Sequence, residues 1–240
     1  MKRSTRLACV IMTVTLAVLS GCVNIGNDDD DLDFDGFPQA SETIEGSGVV
    51  EEEERTVSGV RRVVFAGEGT LRITQGAAEQ LLVTAEDNLL QHIRTSVQGG
   101  TLEIRTRSNV DLEPSEPITY DVTVVTLESL QFSGVGGVEV TNLNTAELEV
   151  VLSGVGNVDI TGSVNVQNVT VKGFGNYNAR DLSSREATIS LDGNVQQTAT
   201  VRVSTTLKVT ISGNGTVFYI GDPAVDSDIT GSGRLEKISG

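Results

Sequence analysis

The chain has 240 residues, 33 Asp and Glu against 17 Lys and Arg, a formal net charge of −16, one histidine, two cysteines and no tryptophan. Two cysteines, one of them inside an apolar leader, exclude a disulfide framework and a cysteine-based metal site, and a lone histidine argues against a His-rich one. The acidity argues against anionic partners, nucleic acid above all.

Lys2, Arg3 and Arg6 make a basic start without acids, and Leu7 to Leu19 is an apolar stretch of secretory length, too short to span a bilayer. Leu19-Ser20-Gly21-Cys22 follows, and it resembles the lipobox of bacterial lipoproteins. The resemblance implies a signal peptide over 1–21 and a lipid on the Cys22 thiol, which would hold the chain to a membrane. A plain signal peptide that happens to carry a cysteine fits fewer of these positions. Val23, where Asp would retain a lipoprotein at the inner membrane of enteric-type bacteria, points to the outer membrane. Loss of the leader takes the charge to about −19.

Residues 22–48 are polar and acidic, with the run Asp28-Asp29-Asp30-Asp31, and read as a self-repelling tether. Within them Asp31, Asp33, Asp35 and Glu42 match positions 1, 3, 5 and 12 of an EF-hand calcium loop. The lack of flanking helix patterns and Pro38 at position 8 favour a solvated spacer instead.

One folded domain is expected over 49–240. Glu51 to Glu54 is a charged edge, Glu86 to Leu90 a turn or helical bend, and Val97 to Ile104 a hairpin around Gly99-Gly100. Pro114 and Pro117 mark a loop before a strand over 118–125. These less regular strands suit the capping end of a repeat array.

From Leu130 onward a glycine motif recurs: Phe132-Ser133-Gly134-Val135-Gly136, Leu152-Ser153-Gly154-Val155-Gly156, Val171-Lys172-Gly173-Phe174-Gly175, Leu191-Asp192-Gly193-Asn194-Val195, Ile211-Ser212-Gly213-Asn214-Gly215 and Ile229-Thr230-Gly231-Ser232-Gly233. Its first glycines are 20, 19, 20, 20 and 18 residues apart. Before the first five of these glycines the second and fourth residues are apolar, and those between are Gln131, Val151, Thr170, Ser190 and Thr210. This is the alternation of strands buried on one face. A fixed period of such units predicts an all-β parallel β-solenoid, right-handed β-helix-like, roughly 25–30 Å tall. A β-sandwich of hairpins is the alternative, but hairpins need no constant step.

Arg55 to Phe65, Gly69 to Gly76, Glu86-Asp87-Asn88-Leu89-Leu90, Gly99 to Ile104 and the serial Ser-Gly-x-Gly turns stand in an order that resembles the bacterial family of putative auto-transporter adhesins with a head GIN domain. The resemblance covers roughly residues 55–238. It implies an all-β, solenoid-like domain on a secreted or lipid-anchored chain, and it implies neither an enzyme activity nor a ligand. Asp192-Gly193-Asn194-Val195 lacks the second glycine, and Lys172 replaces the usual serine, so those rungs depart from the pattern.

The residues offer little chemistry. His92, beside a turn, is the one available base, and no nucleophile-elbow pattern accompanies it. Enzymes that cleave polysaccharides on parallel β-helices line a groove with acids and bases. Here the position five after each first glycine gives Glu139, Asp159, Asn178, Thr198 and Phe218, so Glu139 and Asp159 form a candidate carboxylate pair on adjacent rungs. A solvated face explains the same residues, and fold analogy adds little. Phe174 and Phe218 are candidate contacts for a glycan or protein partner.

The expected protein is thus a non-enzymatic, lipid-anchored binding or structural protein of the bacterial cell envelope, with adhesion as its leading role. It would need no cofactor, and its partner would be a protein or polysaccharide surface. An envelope carbohydrate-active enzyme and a periplasmic sensing or scaffolding module are the competing classes.

Overall fold

The apolar alternation is realised as columns running from rung to rung. The computed structural model describes residues 41–193 and 197–239, so the leader, Cys22, and Asp31, Asp33 and Asp35 lie outside the described residues. The strands are β1 (Glu42–Glu45), β2 (Val50–Arg55), β3 (Arg62–Ala66), β4 (Glu68–Gln75), β5 (Gln80–Glu86), β6 (Ile93–Gln98), β7 (Thr101–Thr106), β8 (Val110–Glu113), β9 (Thr119–Val124), β10 (Ser129–Phe132), β11 (Val135–Leu152), β12 (Val155–Val171), β13 (Phe174–Gly193), β14 (Thr198–Gly213), β15 (Thr216–Ile220), β16 (Ala224–Gly231) and β17 (Arg234–Lys237). A short helix, α1 (Asp87–Leu90), separates β5 from β6. Together they form a β-solenoid of about five turns with parallel stacked strands. The sandwich of hairpins does not form: among the described residues antiparallel pairs occur only where β2, β5, β6, β7 and β9 close the N-terminal end.

Two faces make up most of the stack. Face A runs β9, β4, the first halves of β11 to β14, β15 and β17. Face B runs β7, β3, β10, the second halves of β11 to β14, and β16. The rung β3–β4 lies in space between β7–β9 and β10–β11, although β7 and β9 follow it in the chain. One core column on face B is Ile104, Phe65, Phe132, Leu152, Val171, Leu191 and Ile211, all buried. Phe65 stacks on Phe132 with centroids 5.6 Å apart and meets Tyr120 edge-on at 5.2 Å. Each such aliphatic side chain contributes about 1.5–3 kcal/mol relative to exposure.

Crowding explains the glycine corners better than torsion does. Each rung repeats its turn directly over the one before, so a Cβ on Gly154 would run into the carbonyl oxygen of Gly134, although Gly154 has no positive φ. Gly156 meets both demands, with φ at 147° and the Gly136 carbonyl where a Cβ would stand.

Two places depart from the sequence expectation. The tether was expected to reach residue 48, yet β1 pairs in parallel with β8, Glu42 opposite Val110, and Ile44 packs against the core. A four-residue strand with one inward apolar residue is too short to show periodicity. The second departure is the rung that lacks its second glycine. There Gly193 still opposes Gly213, but Asn176 opposes Thr198 and Asn178 opposes Thr200. Extra residues enter at this corner, and the register shift between Ala179 and Ser183 at the opposite corner takes them back. The constant step between glycines conceals the exchange. In the neighbouring rungs the Val155 and Phe174 N–H groups donate to the preceding glycine carbonyl, each at 2.9 Å. Here the side-chain amide of Gln197, fully buried, donates to the Gly173 carbonyl at 3.0 Å instead.

Candidate functional site

Outward residues at one register position form a row along face A: Asp121, Arg72, Glu139, Asp159, Asn178, Thr200, Phe218 and Glu236. Glu139 and Asp159 do oppose each other on adjacent strands. Thr200 holds the place that counting five from each glycine gives to Thr198, because of the extra residues at that rung's corner. Each of the two carboxylates is engaged on its far side. Glu139 lies 3.7 Å from the Arg72 guanidinium, which also reaches Asp121 at 3.7 Å. Asp159 accepts a hydrogen bond from the Asn178 amide at 2.7 Å, and beside it Asn176 donates to Asn157 at 3.0 Å. These are rungs of an exposed side-chain ladder. Among the described residues no group of His, Cys, Asp and Glu could hold a metal ion.

Phe174 stands at the glycine corner, 62% exposed, in register with Val155 and Val135, themselves 49% and 56% exposed. The three make an apolar ridge across three rungs. Val135 sides a groove of about 480 Å³ between Val135 to Gly137, Glu68 to Thr70 and the Pro114–Ile118 loop. Sequence reading found Phe174 and missed the two valines, although all three occupy the x of Gly-x-Gly. Phe218 is half-buried on face A, in the row of Glu139, and is not brought to the ridge. Glu42 is exposed in β1, its N–H donating to the Asn109 carbonyl at 2.9 Å. His92 is half-buried in the turn after α1.

Composition gave no notice of two polar clusters. Glu86, fully covered, accepts hydrogen bonds from the Ser115 hydroxyl at 2.5 Å and from the N–H groups of Gly48 at 2.6 Å and Ser115 at 2.9 Å. Those bonds, the Ser115 hydroxyl first, hold its carboxyl below the usual carboxylate range. It pins the β1–β2 link to the proline loop. Inside the stack the Tyr177 hydroxyl donates to Gln167 at 2.9 Å, Gln167 to Ser184 at 2.8 Å, and Ser184 to the Arg202 carbonyl at 2.7 Å. Burial raises the Tyr177 pKa and keeps the hydroxyl a donor. These hydrogen bonds pair the buried polar groups of Tyr177, Gln167 and Ser184 with one another and with the backbone.

The same architecture recurs in solved structures. A putative adhesin from Bacteroides fragilis superposes with a TM-score of 0.70 at 23% identity, over 81% of this chain and 100% of that one. A putative lipid binding protein from Parabacteroides distasonis gives 0.52 at 23% identity, and a putative adhesin from Parabacteroides merdae 0.52 at 16%, each over 82% of this chain and 100% of that one. At such identities the likeness establishes the fold. No curated protein matches the chain. Residues 61–223, from the start of β3 through β15, match the family described as putative auto-transporter adhesin, head GIN domain. The match takes in the antiparallel strands β5, β6, β7 and β9 as well as the glycine-cornered rungs through β15, and the chain belongs to that family.

Proposed function

We propose that this protein is anchored to the bacterial outer membrane through a lipid on Cys22 and binds, without catalysis, an extended protein or polysaccharide at the cell envelope. The observation that carries the binding role is the row on face A. Ion pairs join Asp121, Arg72 and Glu139 and a hydrogen bond joins Asp159 and Asn178 along the stack, at a spacing of about 4.8 Å set by the strands. A rigid repeat of polar groups pays little ordering entropy when a second repetitive chain lies along it. The apolar ridge of Val135, Val155 and Phe174 adds a contact at the edge of that surface, with Glu139, Asp159 and Phe218 on the face itself. Membership of an adhesin-like family supports the envelope location, and Leu19-Ser20-Gly21-Cys22 supports the anchor. The stretch of Asp31, Asp33 and Asp35 serves as the spacer between lipid and fold, not as a calcium loop.

Protease treatment of intact and lysed cells, with a periplasmic control protein, tests the location. Digestion of the domain in intact cells supports adhesion; protection until lysis removes it and leaves a periplasmic partner. Labelling with radioactive palmitate tests the anchor, and label retained by Cys22→Ser overturns it.

A further inference from the structure

The N-terminal end of face B carries a concentration of positive charge that the acidic composition does not lead one to expect. In the antiparallel pair β6–β7, Arg94 lies directly opposite Arg105, and Arg107 follows where its N–H donates to the His92 carbonyl at 2.8 Å. Like charges directly opposite on a sheet destabilise it. Glu103 relieves only part of this, 3.6 Å from Arg105, and among the described residues neither Arg94 nor Arg107 forms an ion pair. Acids outnumber bases almost two to one in this chain, so the missing counter-charge is not a shortage of carboxylates.

The three guanidinium groups border a concavity of about 420 Å³, completed by Glu103, the Thr95 backbone and the hydroxyls of Ser96 and Ser108. Ala66 is the neighbour of Arg105 on the next strand, and its small side chain leaves room beside the guanidinium. We propose that Arg94, Arg105 and Arg107 form a subsite for the carboxylate or ester oxyanion of a sparsely charged saccharide. Guanidinium groups bind such oxyanions through paired, charge-assisted hydrogen bonds, and the hydroxyls answer those of a sugar ring. No exposed large apolar residue lines the concavity, so it lacks the wedge that would favour a lipid headgroup. The net charge of −16 repels a densely charged polymer and tolerates an isolated acidic sugar.

The subsite rests on the non-enzymatic binding role proposed above and names one chemical class for it. Its test is a titration of the full chain in neutral detergent with a hyaluronan hexasaccharide, which alternates acidic and neutral sugars. A neutral maltohexaose and inorganic sulfate serve as parallel arms. Saturable binding of the hexasaccharide is expected, weakened about tenfold or more by Arg94→Gln/Arg105→Gln and unchanged by Arg234→Gln at the other end of the stack. The double variant should melt no lower than the parent, because it removes a repulsion, which separates lost binding from lost fold. Equal binding of maltohexaose, equal binding of sulfate, or an unaltered affinity in the double variant would each overturn the subsite. Failure here leaves the shaving and palmitate results untouched, since those report location and anchoring.

Discussion

The two ends of the stack solve the same problem in opposite ways. At the N-terminal end the parallel rungs give way to antiparallel strands, with β2 and its four glutamates as the outer edge on one side and β6 on the other. Helix α1, the strap β1 and the Glu86 hydrogen bonds cover what remains. At the C-terminal end β16 is exposed along its whole length, and only Asp226 and Asp228 guard it against pairing with another strand. Its inward residues continue the core columns, Val225 opposite Leu207 and Ile229 opposite Ile211, yet are 42% and 38% exposed. A repeating unit therefore specifies its own stacking but not its termination. Over the N-terminal rungs non-repeating strands close the core; along β16, among the described residues, the inward side chains stay partly open.

This contrast can be broken most severely in the middle. Gly156→Ala places a methyl group against the Gly136 carbonyl and forces an L residue to φ 147°. Neither rung can move without disturbing the next, so a loss of about 3 kcal/mol or more is expected, on the order of 10 °C in Tm. Thermal melts followed by circular dichroism would show it. A shift of only a degree or two would mean that the corners are far looser than their stacking indicates.

Ile211→Ala removes a side chain with no solvent exposure and should cost about 2–5 kcal/mol. Ile229→Ala, one rung further along the same column, should cost about 1 kcal/mol or less, since much of that side chain already meets water. Similar losses in urea unfolding at both positions would show that the C-terminal end is covered in solution.

At the closed end the test is acid. The Glu86 carboxyl titrates below its ordinary value, so its contribution is complete above the unfolded pKa and is lost as pH falls through the folded one. Hydrogen exchange at Gly48, Ser115 and Glu116 should accelerate across that acidic window, while exchange at Val169 and Ile189 in the middle of the stack stays slow. Glu86→Gln should remove this pH dependence and leave the segment loosened at neutral pH.

The same contrast governs what the sequence discloses. The columns from Leu130 to Ile211 are legible because each repeat states its inward residues in full, and the Gly99-Gly100 hairpin is legible from its turn chemistry. Strand β1 is not, because its one half-buried isoleucine makes no pattern until β8 lies beside it. Register is the harder quantity. Counting from glycines placed Glu139 beside Asp159 correctly, then failed at Thr198, where inserted residues at one corner are offset at the next. The arginine pair escaped for a related reason: Arg94 and Arg105 are eleven residues apart in the chain and opposed only by the hairpin's register.

The smallest expected effect is on face A. Glu139→Gln keeps the shape of the side chain and removes its charge from an exposed ion pair with Arg72 at 3.7 Å. Exposed pairs of this kind contribute about 0–1 kcal/mol, and salt screens them. Asp159→Asn can keep its hydrogen bond from Asn178, because an amide oxygen accepts as a carboxylate does. Both variants should therefore melt within about 2 °C of the parent at physiological ionic strength. Their use lies in function: if a polysaccharide is cleaved by the parent chain and either substitution abolishes cleavage at unchanged stability, then the row is catalytic and the non-enzymatic reading falls. If binding to an extended partner changes with no turnover in either form, the row is a contact surface. Charge there would then set affinity for the partner while contributing almost nothing to the fold that displays it.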